Sequence, residues 1–355
     1  MTRIAFIVQL PKGVSPGQRF RFELWEPTLH QHKIHVDTFP FLDAKTHKII
    51  YKPGHTLKKI TGVVSGFFRR LFLLPRLLQY DYIMLQREFA PVGPPIFEWI
   101  CAKVLNRKII YDFDDAIWIQ NTSGENKLAN WFKAFWKIKH SIKWSYKVVP
   151  GNDYLANYAR KYNDKVVLIP TCVDTAHVHN KIKQHHDGKL VVGWTGSHST
   201  LKYLDDLIPA IKALQEEMDF TFLVIADKNP ELDLKDWEFV KWNAATEIDD
   251  LLKIDIGVMP LTPDEWSEGK CGFKLIQYLS LGIPALASPV GVNKVIIEQG
   301  VNGYLCENTE EWKKHLKELL ANTTLRTEMG AAGRRKVVTH YSIQSQTEKY
   351  LQLFT

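Results

Sequence analysis

Asp255-Ile-Gly-Val-Met-Pro-Leu-Thr-Pro263, followed by Glu268-Gly-Lys-Cys-Gly-Phe-Lys-Leu-Ile-Gln-Tyr-Leu-Ser-Leu-Gly-Ile-Pro-Ala-Leu-Ala-Ser-Pro-Val-Gly-Val-Asn293, reads as strand, loop, helix and strand. Ile256 to Met259 is short and apolar enough for a buried strand, and Ala285 to Ala287 for a second. Between them a helix is expected from about Gly272 to Leu281, with Leu275, Ile276 and Leu279 on one face and Gly282-Ile-Pro284 as its stop. A strand that feeds a glycine loop and a helix N-terminus aims free backbone N–H groups and the positive end of the helix dipole at one point. Phosphate fits there. Lys270 and Lys274 flank that loop. The same loop is also an ordinary connection of any α/β protein.

Working outward, the alternation repeats on both sides. Towards the N-terminus come strands at Arg3 to Leu10, Ile34 to Phe39, Tyr82 to Gln86, Lys108 to Tyr111, Lys147 to Pro150 and Val166 to Pro170. A polar run, Asn180 to Lys189, is the best linker, after which a strand at Leu190 to Val192, the loop Gly193-Trp-Thr-Gly-Ser-His198 and a helix from Leu201 to Glu217 restart the pattern. The reading is two α/β domains, 1–180 and 189–340, with a closing helix at 341–355. At 355 residues the chain is long enough for two separate cores.

The composition, 45% hydrophobic and 24% charged, is that of a globular protein. A net charge of +7 favours an anionic partner: nucleic acid, nucleotide or an acidic membrane surface. Four dispersed cysteines (Cys101, Cys172, Cys271, Cys306) make no CxxC pair, which fits reduced thiols in the cytoplasm and offers no zinc pattern. No window has the ~20 uninterrupted apolar residues of a spanning helix, and the apolar N-terminus is short enough to be a first strand rather than a signal peptide.

Two basic stretches stand out. From Ala44 to Tyr80 there is no acid, and 58–78 interleaves Lys58, Lys59, Arg69, Arg70 and Arg76 with large apolar residues. The segment 130–147 carries five lysines and no acid among its aromatics, with Trp131, Phe135, Ile138 and Ile142 on one stripe and Phe132, Trp136, His140 and Trp144 on another. Both suit a helix lying on anionic lipid, or a buried helix with basic flanks; stacking on single-stranded nucleic acid uses the same chemistry. In open α/β sheets the loops at the carboxyl ends of strands form the ligand crevice, which makes Arg19, Arg21 and Arg87 candidates for an acceptor or phosphate. Asp112-Phe-Asp-Asp115 follows a buried strand, and there Asp112 and Asp114 can accept or orient an acceptor's hydroxyl proton, hold a cation, or cap a helix.

These residues resemble a known family. Asp112-Phe-Asp-Asp115, Gly193-Trp-Thr-Gly-Ser197, Asp255-Ile-Gly-Val-Met-Pro260 and Lys270 through Asn293 are similar to the corresponding segments of bacterial family-4 (group 1) glycosyltransferases. The resemblance implies the GT-B fold: two doubly wound Rossmann-like domains facing a cleft, acceptor in the first, nucleotide-diphosphate sugar in the second, with retention of configuration and no metal or other cofactor. On this reading Gly193, Thr195, Gly196, Ser197, Gly272 and Phe273 sit at the donor, Trp242 near its base, and Asp112, Asp114, Lys270 and Lys274 at the chemistry. Arg19, Arg21, Arg87 and Asp115 serve the acceptor. Two departures matter. Where the family carries a spaced pair of glutamates, Gly269 stands with Glu268 beside it, and Gln277 replaces the second. Trp194 and Ser199 stand about where the family has its usual Arg and Lys, and His198, Lys202, Lys270 and Lys274 are the substitutes. The expected partners are a nucleotide sugar, a glycan or lipid-linked acceptor, and an anionic membrane surface on the cytoplasmic side, met through 58–78 and 130–147. Loss of the glutamates equally allows a protein that binds nucleotide sugar without turnover, and the basic-aromatic stretches allow, less readily, a nucleic-acid-binding protein.

Overall fold

The computed structural model describes residues 1–50, 52–119 and 134–355. They divide into two compact units, Met1–Thr171 with Thr347–Thr355, and Cys172–Gln346. Each is built on its own parallel sheet.

The first unit has strands β1 (Arg3–Val8), β2 (His35–Pro40), β3 (Tyr82–Gln86), β4 (Lys108–Phe113) and β5 (Lys147–Pro150) in the order β2-β1-β3-β4-β5. Ile4 to Val8 are fully buried, as expected of a central strand covered on both faces, which reads as an unbroken apolar run. The chain steps one way from β1 to β2 and the other way through β3, β4 and β5. Right-handed crossovers then put α1 (Pro16–Arg21) on one face of the sheet and α2 (Thr56–Leu73), α3 (Ile96–Trp99) and α4 (Lys137–Trp144) on the other. Tyr350 of the closing segment stacks on Trp25 with ring centroids 3.9 Å apart.

The second unit orders β6 (Leu190–Gly196), β7 (Phe220–Ala226), β8 (Trp237–Lys241), β9 (Ile256–Met259), β10 (Ala285–Ala287) and β11 (Gly303–Leu305) as β11-β10-β9-β6-β7-β8. The stretch that opened the sequence reading is β9, then α5 (Phe273–Ser280), then β10. Leu275, Ile276 and Leu279 are fully buried, so the predicted face is the packed one. Val192, Trp194, Phe222, Val224, Ile256 and Leu286 of the sheet meet Leu316 and Leu319 of α6 (Thr309–Ala321) in one core, and α5 also packs on α7 (Thr323–His340).

The structure departs from the sequence reading in several places. The boundary between units falls after Thr171, not in the polar run 180–189. That run is tied to the second unit: Lys183 pairs with buried Asp255 at 2.8 Å, and the Lys183 N–H donates to the Leu281 carbonyl. Val166 to Pro170 forms no regular strand, but it runs parallel to β5 through the Val148–Val166 bridge, with the Val167 and Ile169 N–H groups donating to the Val148 and Pro150 carbonyls. β4 runs on to Phe113, so Asp112 lies inside the strand rather than beyond it. β6 likewise runs on through Gly196, because its backbone pairs with β7 as far as Ala226.

The basic residues of 58–78 divide. Arg69 donates to the Phe41 carbonyl and pairs with Asp43. Arg70 is buried and donates to the carbonyls of Val8, Phe39 and Phe89, the first two at the carboxyl ends of β1 and β2. In the second stretch 130–133 lies outside the described residues. Lys137 is buried, pairing with Glu88 at 2.7 Å and donating to the Ala90 carbonyl. These three cations serve the fold, since each satisfies buried acceptors that solvent does not reach.

Candidate functional site

In the second unit the strand order reverses between β6 and β9, which pair through Val192–Ile256 and Gly193–Gly257. Ligand crevices of open parallel sheets form outside the carboxyl ends of strands at such a point. Around it the chain places β6's end, the loop before α5 and α5's first turn. The hydroxyl of fully buried Tyr278 on α5 accepts a hydrogen bond from the Thr195 N–H at 2.9 Å, fastening helix to strand end.

Gly272 is the N-cap of α5, with φ of 65°, and no side chain caps the helix. The left-handed backbone suits glycine, and a Cβ there would lie 2.2 Å from the Ile296 Cδ1. The helix therefore begins without a capping side chain, with the positive end of its dipole at this point. Lys274 holds its Nζ 5.4 Å from the ring centroid of buried Trp194, and Lys270 its Nζ 5.0 Å from that of Trp266. Glu268 and Phe273 are half-buried on the same loop and first turn.

A second group lies on β7, β8 and α5. Trp242, just past β8, donates its indole N–H to buried Glu247 at 3.1 Å, and Gln277 on α5 donates its amide to the same carboxylate at 3.5 Å. Glu247 thus brings a carboxylate to the position where Gln277 lacks one. Sequence reasoning passed over it as the start of a helix; only the fold shows its neighbours. Asp227 was missed too. Just past β7, it accepts from the His198 N–H and meets the His198 Nδ1, each at 2.6 Å. Beside them is an open depression of about 380 Å³ lined by His198, Leu201, Lys228, Asn229, Pro230 and Glu231. Lys202 is exposed over the Tyr203 ring.

Burial alone would raise the Asp227 carboxyl; the hydrogen bonds and charge of His198 outweigh it and hold it below the usual range. A carboxyl depressed in the folded state adds stability above its unfolded value and loses it as pH falls through the folded one. Both side chains are about half exposed, so Asp227→Asn is expected to cost at most about 1 kcal/mol near neutral pH. In urea unfolding across pH, the gap to the parent should close once acid protonates the carboxyl in both states.

Not every expected residue joins this site. Gly193 is buried within β6, where a Cβ would lie 2.3 Å from the Ile254 Cγ1; it is there for packing. Gly196 ends the strand and Ser197 begins the exposed turn.

In the first unit the pattern divides again. Arg21 donates to both oxygens of Asp112, from Nε at 3.0 Å and from Nη2 at 2.5 Å, and from Nη1 to the Ile169 carbonyl at 2.6 Å. Both are buried, so neither serves the chemistry or an acceptor as the sequence reading expected: their charges are spent on each other. Arg87, directly after β3 and with φ of 61°, reaches Asp114 at 2.7 Å and Asp115 at 2.5 Å. Burial lowers its guanidinium, but the two carboxylates outweigh that and raise it. This trio is partly exposed at the carboxyl ends of β3 and β4; Arg19, half-buried over the Phe20 ring, lies on α1. Among the described residues no three His, Cys, Asp or Glu side chains are grouped to hold a metal.

Comparison with known proteins places these features. Residues 189–322 match the sequence model of the family described as Glycosyl transferases group 1. Spore coat protein SA of Bacillus subtilis is 28% identical over 79 residues, a match covering 21% of this chain and 21% of that relative. Sucrose-phosphate synthase from Thermosynechococcus elongatus superposes with a TM-score of 0.71 at 14% identity, covering 100% of this chain and 99% of the other. HepE of Anabaena, in complex with UDP-glucose, gives 0.67 at 14%, covering 99% of each. A TarM mutant of S. aureus, in complex with Fondaparinux, alpha-GlcNAc-glycerol and UDP, gives 0.61 at 19%, covering 81% of this chain and 59% of that one. At such identities the structures speak for the fold: two Rossmann-like domains of the GT-B type. Within the second unit, residues 189–322 are similar to group 1 glycosyltransferases, in keeping with the group 1 resemblance read from the motifs; the family-4 subdivision is an expectation of the sequence alone.

Proposed function

We propose that this chain transfers a sugar, with retention of configuration, from a nucleotide-diphosphate sugar to a glycan or lipid-linked acceptor in cell-surface polysaccharide synthesis on the cytoplasmic side of the membrane. The observation that carries this reading is the place of the N-terminus of α5, with its first-turn N–H groups and Lys274, at the switch point of the second sheet. The diphosphate docks on those N–H groups, with Ser197 and His198 beside it. The ribose meets Gln277 and Glu247, the base lies by Trp242, and Glu268 reaches the sugar hydroxyls. In the first unit Arg87, Asp114 and Asp115 orient the acceptor.

The acceptor hydroxyl oxygen bonds to the anomeric carbon on the face the diphosphate leaves. The bond from that carbon to the phosphate oxygen breaks, its electron pair goes to the diphosphate, and the departing phosphate takes the hydroxyl proton. No protein base is needed, so the loss of Asp112 from the site costs the mechanism nothing. The protein positions the reactants and stabilises charge on the leaving group through Lys270, Lys274 and the first-turn N–H groups. No metal or organic cofactor enters this scheme.

The test is thermal unfolding of the purified chain with UDP, GDP, CDP and their sugars. One nucleotide family should stabilise it, by about 2.7 kcal/mol at a hundredfold excess over Kd. The absence of a shift with every nucleotide would remove the donor site from the argument. A shift without transfer to any glycan or lipid acceptor would favour the second reading, a nucleotide-sugar-binding protein without turnover, for which Gly269 and Gln277 are the motive.

A further inference from the structure

The outer surface of the first unit's helix layer bears a feature that sugar transfer does not use. α2 turns Gly62, Gly66, Arg70 and Leu73 inward, and its Val63 and Phe67 pack on Phe41, Leu42 and Ala90. The opposite side of this helix is apolar as well. Leu57 is 79% exposed, Phe68 54% and Phe72 71%, with Ile60, Val64 and Leu71 exposed along the same stripe. A helix that is apolar on its solvent side requires a partner for that side.

The stripe continues across the layer. Phe67 of α2 lies 6.3 Å, centroid to centroid, from Phe97 of α3, and α3 packs on α4. α3 exposes Ile96 and Trp99, and Trp136 is exposed at the start of α4, edge-on to His140. The exposed charged side chains on these helices and on Ile100–Val104 have one sign. Lys58, Lys103, Lys139 and Lys143 are exposed, whereas the three helices carry a single acid, Glu98, which is buried and accepts from the Phe89 N–H.

We infer that this face docks in the plane of a bilayer containing anionic lipid, with the stripe of α2 in the acyl boundary and the lysines among the headgroups. An apolar stripe supplies the insertion energy, and a mainly basic surface, on which the partly exposed Asp43 is already paired with Arg69, supplies the attraction. Among the described residues no helix is long and apolar enough to cross a membrane, so the helices lie on it. The sequence reading is revised in one respect: Arg69, Arg70 and Lys137 do not face lipid, and exposed Phe68 and Phe72 do.

The experiment is co-sedimentation of the purified chain with vesicles of phosphatidylcholine alone and of phosphatidylcholine with phosphatidylglycerol. The parent should pellet with the anionic vesicles, less so in high salt. The double variant Phe68→Ser, Phe72→Ser should weaken that binding at least about tenfold, since both rings are exposed and leave water only on the membrane. Circular dichroism and nucleotide-dependent thermal shift on the same variant separate a lost surface from a lost fold, and keep this test independent of sugar transfer. The inference falls if the parent stays in solution with both vesicles or if the double variant pellets equally. It also falls if the parent is a stable dimer that the double variant dissolves, since a second copy then covers the face, or if single-stranded RNA binds the face in preference to vesicles.

Discussion

Replacing Arg21 by alanine is expected to cost the first unit about 3–5 kcal/mol, because it strands a buried carboxylate rather than removing an acceptor contact. Asp112 and Arg21 are almost wholly buried, and Arg21 also satisfies the Ile169 carbonyl. The loss has a pH signature. Burial pushes the Asp112 carboxyl up to about 6 even against the pull of Arg21. Without Arg21, burial and the charge of Asp114 are opposed only by the weaker pull of Arg87, so the folded carboxyl binds its proton more tightly than the unfolded one, whose pKa is about 3.9. A raised acid destabilises above the unfolded value and increasingly as pH climbs through the folded one, while below both values the penalty vanishes. Arg21→Ala should therefore be nearest the parent in urea unfolding at about pH 4 and furthest at about pH 8. The double variant Arg21→Met, Asp112→Leu removes both charges and should recover most of the loss. A catalytic Asp112 would behave differently: Asp112→Leu with Arg21→Met would abolish transfer while stability recovered.

The pairing of Asp112 with Arg21 shows what a linear sequence reveals and what it hides. Buried strands and the α5 helix were legible because apolar runs and three-and-four spacing report burial directly: β9 and β10 begin and end where the pattern puts them, and α5 within one residue at each end. The role of Asp112 was not legible. One residue of strand length decides whether it projects into a crevice or is enclosed, and its partner Arg21 is 91 positions away. Arg70 and Lys137 illustrate the same limit: a basic residue among apolar ones looks alike whether it faces headgroups or buried carbonyls. Glu247 is the converse case. Its helix was expected, but nothing local says that its carboxylate meets both Trp242 and Gln277. That meeting bears on the replacement of a glutamate by Gln277, since in the proposed docking the hydrogen-bond acceptor for the ribose arrives from another element.

Lys274→Ala is expected to lower kcat on the order of 10²–10³-fold, the usual result of removing one group aimed at charge that develops in the transition state. Lys274 sits on the first turn of α5, where, in the proposed mechanism, the helix N-terminus and a cation act on the same leaving diphosphate. The effect should fall on kcat more than on nucleotide affinity. In the proposed mechanism the ground-state diphosphate keeps the helix N-terminus and Lys270, whereas the extra negative charge of the departing phosphate has lost one of its two cations. The stability control is essential, because Lys274 also lies over Trp194. Losing that contact costs on the order of 1 kcal/mol, and urea unfolding of the variant should show no more than this. Lys274→Arg, which keeps the charge, should restore part of the rate. Full transfer activity in Lys274→Ala would move the leaving-group role to Lys270 alone. A drop in nucleotide affinity equal to the drop in kcat/KM, with kcat unchanged, would make Lys274 a binding residue and leave the helix N-terminus as the main source of charge stabilisation.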